Sequence, residues 1–538
     1  MANIKDIDGS SGGYLKELGE IATKLHLPMA QTNDLIDLIS NDMLRSIYRY
    51  PPKVPNPKGG SDIEGVLSEE DKEFNQKVDA VHREWNNGAP FPPYRRNKVR
   101  GTSAAGSPGH GKTTVFEVAA ERVARAMNMR FLNPIDLEHV PLEEINKNTF
   151  VFISEETAGM ISAMEFFGMP SEGRTANGTR YMGRLFTLQL QKLMKAGAGV
   201  CLLDDFSNAH EHIQDVGLSL VDRRRNGELI LTNTYFGVTG NLGGLDDTNA
   251  KRMSAALRGR MRTYLVHDTV ENFLNRLLTN PKYQDELGSA FLRPFFLRTK
   301  DRYFSAIPLR GKQGGFPSPR TWLDAMEETR DALHRHGGRD GAAAARYDIK
   351  NILEASVGLE CASAFDTFME AVLLGAEPLA AELISTGKVN ETKFKAAKSE
   401  GGFTPQDMFF ENQFALALVD HTINKILKDK SLKEGIERFG KGLGMITDDA
   451  SFELALEELQ TRMVIQIPEM DGIKIGKLVN ADQGRYELET EAGNAIGTMI
   501  MKATPVDETR RRSIINVFSD MNKQDRRVDV PTAKGRSR

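Results

Sequence analysis

The chain has 538 residues, of which 40% are hydrophobic and 27% charged, with a formal net charge of −4; this is the composition of a globular protein of several domains and excludes a disordered or fibrous chain. The charge gives no chain-wide basic field for nucleic acid, although it leaves room for a local basic patch. Two cysteines, Cys201 and Cys361, exclude a disulfide framework. With no apolar run near the ~18–20 residues of a membrane span and no signal-peptide core at the N-terminus, a cytoplasmic protein without a membrane partner is expected.

In chain order, residues 14–48 read as helical, because Leu15, Leu18, Ala22 and Leu25 share one face and Leu35, Ile36, Ile39 and Met43 repeat the spacing. "PPKVPNPKGGS" (51–61) is a helix-breaking linker, 68–86 a short polar helix, and "GAPFPPYRRNK" (88–98) a second break. Residues 1–95 are therefore expected as an N-terminal helical region with its linker. From 96 to 268 short apolar runs, "VFISEE", "AGVCLLDD" and "YFGVTGN", alternate with helical stretches, the pattern of an α/β domain with a mainly parallel sheet. Helical spacing then dominates. Val270, Phe273, Leu274, Leu277 and Leu278 mark one helix and 319–335 another, in a helical segment over 269–345. Residues 346–505 read as a mainly helical domain with three short strands, "MVIQI", "IKIGKLV" and "RYELET", and 506–538 as a basic, flexible tail.

"GSPGHGKTT" (106–114) fits the phosphate-loop pattern G-x-x-x-x-G-K-[ST]. Gly106, Gly109 and Gly111 let backbone N–H groups turn inward around phosphate oxygens without Cβ clashes, with Ser107, Pro108, His110 and Thr114 completing the loop. Lys112 is expected to reach the β- and γ-phosphates and the Thr113 hydroxyl to bind Mg²⁺. "TVFEVAAERVARAM" follows as an amphipathic helix whose N-terminal dipole faces the anion. The strand before the loop, "KVRGTSAA", is polar and rich in small residues, unlike the usual buried parallel strand.

Downstream, "GVCLLDDFSNA" (199–209) is an apolar strand ending in Asp204 and Asp205. Asp204 is placed to hold the metal, and Asp205 to polarise an attacking water. Asn241, at the end of "YFGVTGN", can bond that water or the γ-phosphate, or else form a turn before Gly243. "AALRGRMRTYLV" carries Arg258, Arg260 and Arg262. "FPSPRTW" sets Arg320 in the first turn of a helix, where the dipole disfavours a cation unless an anion compensates.

Taken in this order, these segments resemble the Walker A, Walker B, sensor 1, arginine-finger and sensor 2 motifs of an AAA+ ATPase, most closely of the MoxR-like and chaperone-like branches, over about 100–335. The resemblance implies a P-loop AAA+ parallel-sheet core with a helical lid, ATP and Mg²⁺ as cofactors, and a ring of copies, commonly a hexamer. In it Arg260 of one copy would reach the γ-phosphate held by the next, and Arg320 would couple the nucleotide to the lid. Tyr181-Met182-Gly183 resembles the pore loop with which ring unfoldases grip a polypeptide, although a helix start with a buried tyrosine fits the same residues. The expected activity is ATP hydrolysis coupled to remodelling of a protein partner, the alternatives being a nucleic-acid motor or loader and a nucleotide-gated structural assembly. Two departures stand out. Asp205 replaces the family's glutamate, withdrawing the carboxylate by ~1.5 Å, so slow basal hydrolysis is expected. Asp204 follows Lys112 by 92 positions, with the excess expected in a partner-binding loop within 145–180.

Overall fold

The computed structural model describes residues 13–518, apart from internal stretches of which the longest are 55–62, 92–98, 280–291 and 401–406. They form two compact units. One runs from Leu15 to Asp268; the other takes in Thr269–Ala306 and the described residues from 314 onward.

The first unit is built on a seven-stranded sheet. Its strands are β1 (Met29–Gln31), β2 (Gly101–Ala105), β3 (Arg130–Leu132), β4 (Thr149–Glu156), β7 (Ala198–Asp204), β8 (Thr234–Gly240) and β9 (Met261–His267), and between β4 and β7 the hairpin strands β5 (Met169–Arg174) and β6 (Arg180–Leu185) pair only with each other. The sheet order is β1-β9-β2-β8-β7-β4-β3, and every pairing is parallel. A parallel sheet requires a crossover between strands and cover on both faces. Helices α1 (Thr32–Ile47) and α2 (Thr114–Ala126) supply the cover on one face, through Leu35, Ile39, Met43, Val115, Phe116 and Ala119 packed with Phe150, Phe152, Val200 and Tyr235. Helices α3 (Leu188–Lys195) and α4 (Glu211–Arg223) cover the other, where Leu190, Leu193, Ile213 and Leu220 meet Val151, Ile153, Cys201 and Val238. The result is an α/β P-loop fold.

β2 resolves the oddity of its sequence. All five residues are buried between β9 and β8, and a Cβ on Gly101 would stand 2.6 Å from the carbonyl oxygen of Phe236, so small residues are required there. Thr102 is satisfied by the Tyr235 hydroxyl, which donates to it at 2.7 Å. Residues 29–31, expected to be helical, form the edge strand β1 instead, because their backbone pairs with Leu265–His267. The stretch expected as a separate N-terminal region thus supplies one strand and one cover helix to this unit.

The second unit is helical. Helix α5 (Val270–Thr279) and helix α6 (Pro319–Arg335) share a core with α7 (Ala342–Val357) and α8 (Leu359–Ala371), built around Phe273, Phe296, Trp322 and Phe365. A second cluster joins α9 (Asp407–Asp429) and α10 (Asp449–Gln466) through Phe414, Leu418, Phe452 and Leu459. Arg293 bonds Glu458 of α10 at 2.6 Å through two nitrogens, both side chains being buried. Two strand expectations hold, at Gly476–Asn480 and Arg485–Leu488, but "MVIQI" forms the last turn of α10 and its C-cap, Ile467. Residues 508–518, expected in a flexible tail, are helical and bury Ile514, Val517 and Phe518; the tail from Asn522 lies outside the described residues.

Candidate functional site

The carboxyl ends of β2, β7, β8 and β4 lie side by side, the place where open α/β sheets bind ligands. The loop 106–113 joins β2 to α2. Gly109 and Gly111 take φ of 83° and 72°, in the region that favours glycine, and a Cβ on Gly106 would stand 2.8 Å from the carbonyl oxygen of Val266. The loop is therefore turned back on itself with its backbone close against β9. Pro108 is half-buried and Thr114, the first residue of α2, is exposed. The Ser107 hydroxyl is buried and has no partner among the described residues.

Lys112 is buried, and its Nζ donates to the carbonyl oxygens of Gly106 and Ser107 at 2.9 and 3.0 Å and to Asn241 Oδ1 at 2.8 Å. Asn241 Nδ2 in turn donates to Asp205 Oδ1 at 3.1 Å. The Thr113 hydroxyl lies 2.9 and 3.0 Å from the two oxygens of Asp204. Residues from the loop, the acidic strand end and the end of β8 thus form one connected set, in which Lys112 and Asn241 stand 129 positions apart.

Three residues that the sequence reading passed over hold this set in place. Thr239 donates to Asp204 and accepts from the Asp205 amide at 2.8 Å. Ser207 accepts from the Asn241 amide at 3.0 Å. Thr157 donates through its hydroxyl to the Asp204 carbonyl oxygen at 2.7 Å. Thr239 lies within "YFGVTGN", and a lone Ser or Thr carries no sequence signal of its own. Asp205 sits in the left-handed region, at φ 50° and ψ 33°, which turns the chain sharply out of β7; aspartate is among the few residues that tolerate this.

Burial shapes the ionisation here. His110, wholly buried beside Lys112 and His267, is pushed down to about 3 by burial first and by those two charges second. Glu155 is pushed up to about 7 by burial, and Glu156 is raised by burial and then by the charges of Asp205 and Asp204.

Arg260 is exposed just before β9, paired with Asp222 at 3.4 Å and donating to the Ala256 carbonyl oxygen at 3.0 Å. It precedes the amino end of a strand whose other end touches the phosphate loop, so at ~3.3 Å per residue it lies about 20 Å from that loop within one chain. Arg258 is exposed, and Arg262 is bound instead to the buried carboxylate of Asp42 in α1. Arg320 is exposed in the first turn of α6, behind a capping box formed by Ser318 and Thr321, and belongs to the second unit. Tyr181, Met182 and Gly183 lie in strand β6 of the hairpin rather than at a helix start, with Met169, Met182 and Leu185 exposed. Among the described residues, no helix is long and apolar enough to cross a membrane.

The donor set fits a magnesium-bound triphosphate. Two hard oxygen ligands, from Thr113 and Asp204, meet the preference of Mg²⁺. A buried ammonium, an orphan hydroxyl at Ser107 and the N-terminus of α2 meet the preference of phosphate.

No protein-family profile and no curated protein matches the sequence. Among solved structures, the chain is similar to a RuvB variant from Thermotoga maritima, at 11% identity over 64% of this chain and 84% of that one, with a TM-score of 0.25. It is similar to Cdc6p from Pyrobaculum aerophilum at 13% identity over 68% and 91%, TM-score 0.27, and to PCH-2 of C. elegans at 15% over 57% and 69%, TM-score 0.23.

Proposed function

We propose that the chain is a ring-forming ATPase of the AAA+ type that couples hydrolysis of Mg-ATP to remodelling of a protein partner, as in the MoxR-like branch. The observation that carries this reading is the convergence of Lys112, Thr113, Asp204, Asp205 and Asn241 on one crevice in the order that the AAA+ motifs require. Lys112 and the loop amides hold the β- and γ-phosphates, and Thr113 and Asp204 hold the metal, which neutralises charge developing on the phosphate oxygens. Asp205 offers a carboxylate to the attacking water, and Asn241, tied to both Lys112 and Asp205, registers the γ-phosphate. Arg260 is too far from its own loop to assist there, which supports a role in a neighbouring copy's site; such a finger is worth ~10³–10⁵ in rate in related hydrolases. Arg320 is assigned to coupling between nucleotide and helical unit. The exposed methionines and leucine of the hairpin support a protein partner, because flexible apolar side chains grip varied chains.

The test is phosphate release by the full chain with unfolded protein or single-stranded DNA added, together with light scattering with and without ATP. The reading predicts ATP-dependent assembly and stimulation by protein. Stimulation by DNA alone would replace the partner class with nucleic acid, and assembly without turnover would make the chain a nucleotide-gated scaffold.

A further inference from the structure

The three carboxylates at the crevice differ in what already occupies them. Asp204 accepts from Thr113 and Thr239. Asp205 accepts from Asn241, on a backbone turned out of the strand direction. Glu156, the last residue of β4, accepts from the Ala158 amide, which leaves acceptor capacity on a carboxylate with two oxygens.

The register decides where Glu156 stands. β4 and β7 pair residue for residue, and Glu156 lies directly opposite Asp204. Side chains alternate across a strand, so Glu156 shares a face with Phe150 and Phe152, and Asp204 with Val200 and Leu202. These are the residues that pack against α2, the helix that begins at the phosphate loop. β8 continues the row, since Val238 pairs with Leu203 and Thr239 follows. Neighbouring strands stand ~4.8 Å apart, so Glu156, Asp204 and Thr239 form a row on the nucleotide side of the sheet. The charges of Asp205 and Asp204 both act on Glu156, as neighbours would. Without a cation, three carboxylates so close repel one another.

We infer that Glu156 is a catalytic residue that holds the attacking water, supplying from the neighbouring strand the reach that Asp205 lacks. This rests on the ATPase reading above. Glutamate is one methylene longer than aspartate and approaches from the far side of the metal ligand Asp204. Its carboxylate accepts a hydrogen bond from the water and aims the oxygen at the γ-phosphorus. The oxygen–phosphorus bond to the water forms, the bond from the γ-phosphorus to the β–γ bridging oxygen breaks, and its electron pair stays with ADP. Both water protons end on the phosphate product. Asp205 then assists at the water from its own strand end while it also fixes Asn241.

The experiment compares E156Q, E156D and D205N in the full chain, reading phosphate release at saturating Mg-ATP, fluorescent-ATP affinity and half-saturating Mg²⁺. E156Q should lower turnover by about 10²–10⁴-fold, E156D by at least about tenfold, and D205N less than E156Q. Nucleotide affinity and Mg²⁺ requirement should stay within about threefold of wild type. Undiminished turnover in E156Q overturns the inference and leaves the ATPase reading standing. So does a raised Mg²⁺ requirement with weakened nucleotide binding, which would make Glu156 a metal ligand. E156D guards against a folding defect in E156Q, since a folded E156D with wild-type turnover is equally fatal. A wild-type chain that binds ATP and never turns it over overturns both.

Discussion

At the residue scale, Thr239 is the joint between the two aspartates. Replacing it with valine keeps the shape and β-propensity but removes the hydroxyl that serves Asp204 and the Asp205 amide. T239V should lose about 1–3 kcal/mol of stability in urea unfolding, the cost of part-buried polar groups left short of partners, and turnover should fall with it. Glu155 gives a pH signature. It is raised from 4.5 to about 7 in the folded chain, so the folded state binds more protons than the unfolded across that window. Its contribution to stability is complete below pH 4.5 and is lost as pH rises through 7. E155Q should therefore gain on wild type by up to about 1.4 kcal/mol per pH unit between those values, read as the difference between their urea midpoints. His110 acts in the opposite sense, because a histidine held down to about 3 destabilises the fold as pH falls below 6.5. The phosphate-loop residues were legible singly, through glycine, lysine and threonine at fixed spacing. Their supporting hydroxyls were not, because Thr157, Ser207 and Thr239 acquire meaning only when three strand ends meet.

At the scale of elements, the strands ending at Asp204 and Gly240 and the helices over 69–85, 270–279 and 319–335 stand where apolar runs, helical spacing and breakers in the sequence put them. The exceptions share a cause. β1 is three residues long and exists because an open edge of β9 offers it a partner, a tertiary fact with no local periodicity. "MVIQI" has strand-like composition but continues α10, where Met463 and Val464 are buried in the helical unit. The polar run before the phosphate loop is a strand because its neighbours come too close for larger side chains. The same closeness sets the seating of β8 on α2. A Cβ at Gly237 would meet the Phe116 ring at 2.4–2.9 Å, so G237A should lose about 1–3 kcal/mol through overpacking, seen as a lower thermal midpoint. Most of the stretch 145–180, expected to hold a partner-binding loop, is strand β4 and the first part of the β5–β6 hairpin.

At the scale of the whole molecule, the α/β unit carries Lys112, Thr113, Asp204, Asp205 and Asn241, and the helical unit carries Arg320. Arg260 links this division to assembly. Its place before the amino end of β9 requires a second copy if it is to act at a phosphate, through a head-to-tail interface. K112A and R260A should each be nearly inactive alone. Mixed in equal amounts, they should recover about a quarter of wild-type turnover, since a quarter of head-to-tail interfaces then join an intact loop to an intact Arg260. A mixture no more active than its components would place Arg260 outside the reaction.

The central claim is that the loop at Lys112 and the carboxylate of Asp204 hold a single magnesium-bound triphosphate. Calorimetric titration of the full chain with ATP, with and without Mg²⁺, tests it most directly when K112A and D204N are run beside wild type. Wild type should bind ATP in a magnesium-dependent manner, K112A should lose at least about 100-fold in affinity, the scale of a charge-assisted phosphate contact, and D204N should lose the magnesium dependence. ATP binding by K112A equal to that of wild type, or no binding by wild type at all, would contradict the account.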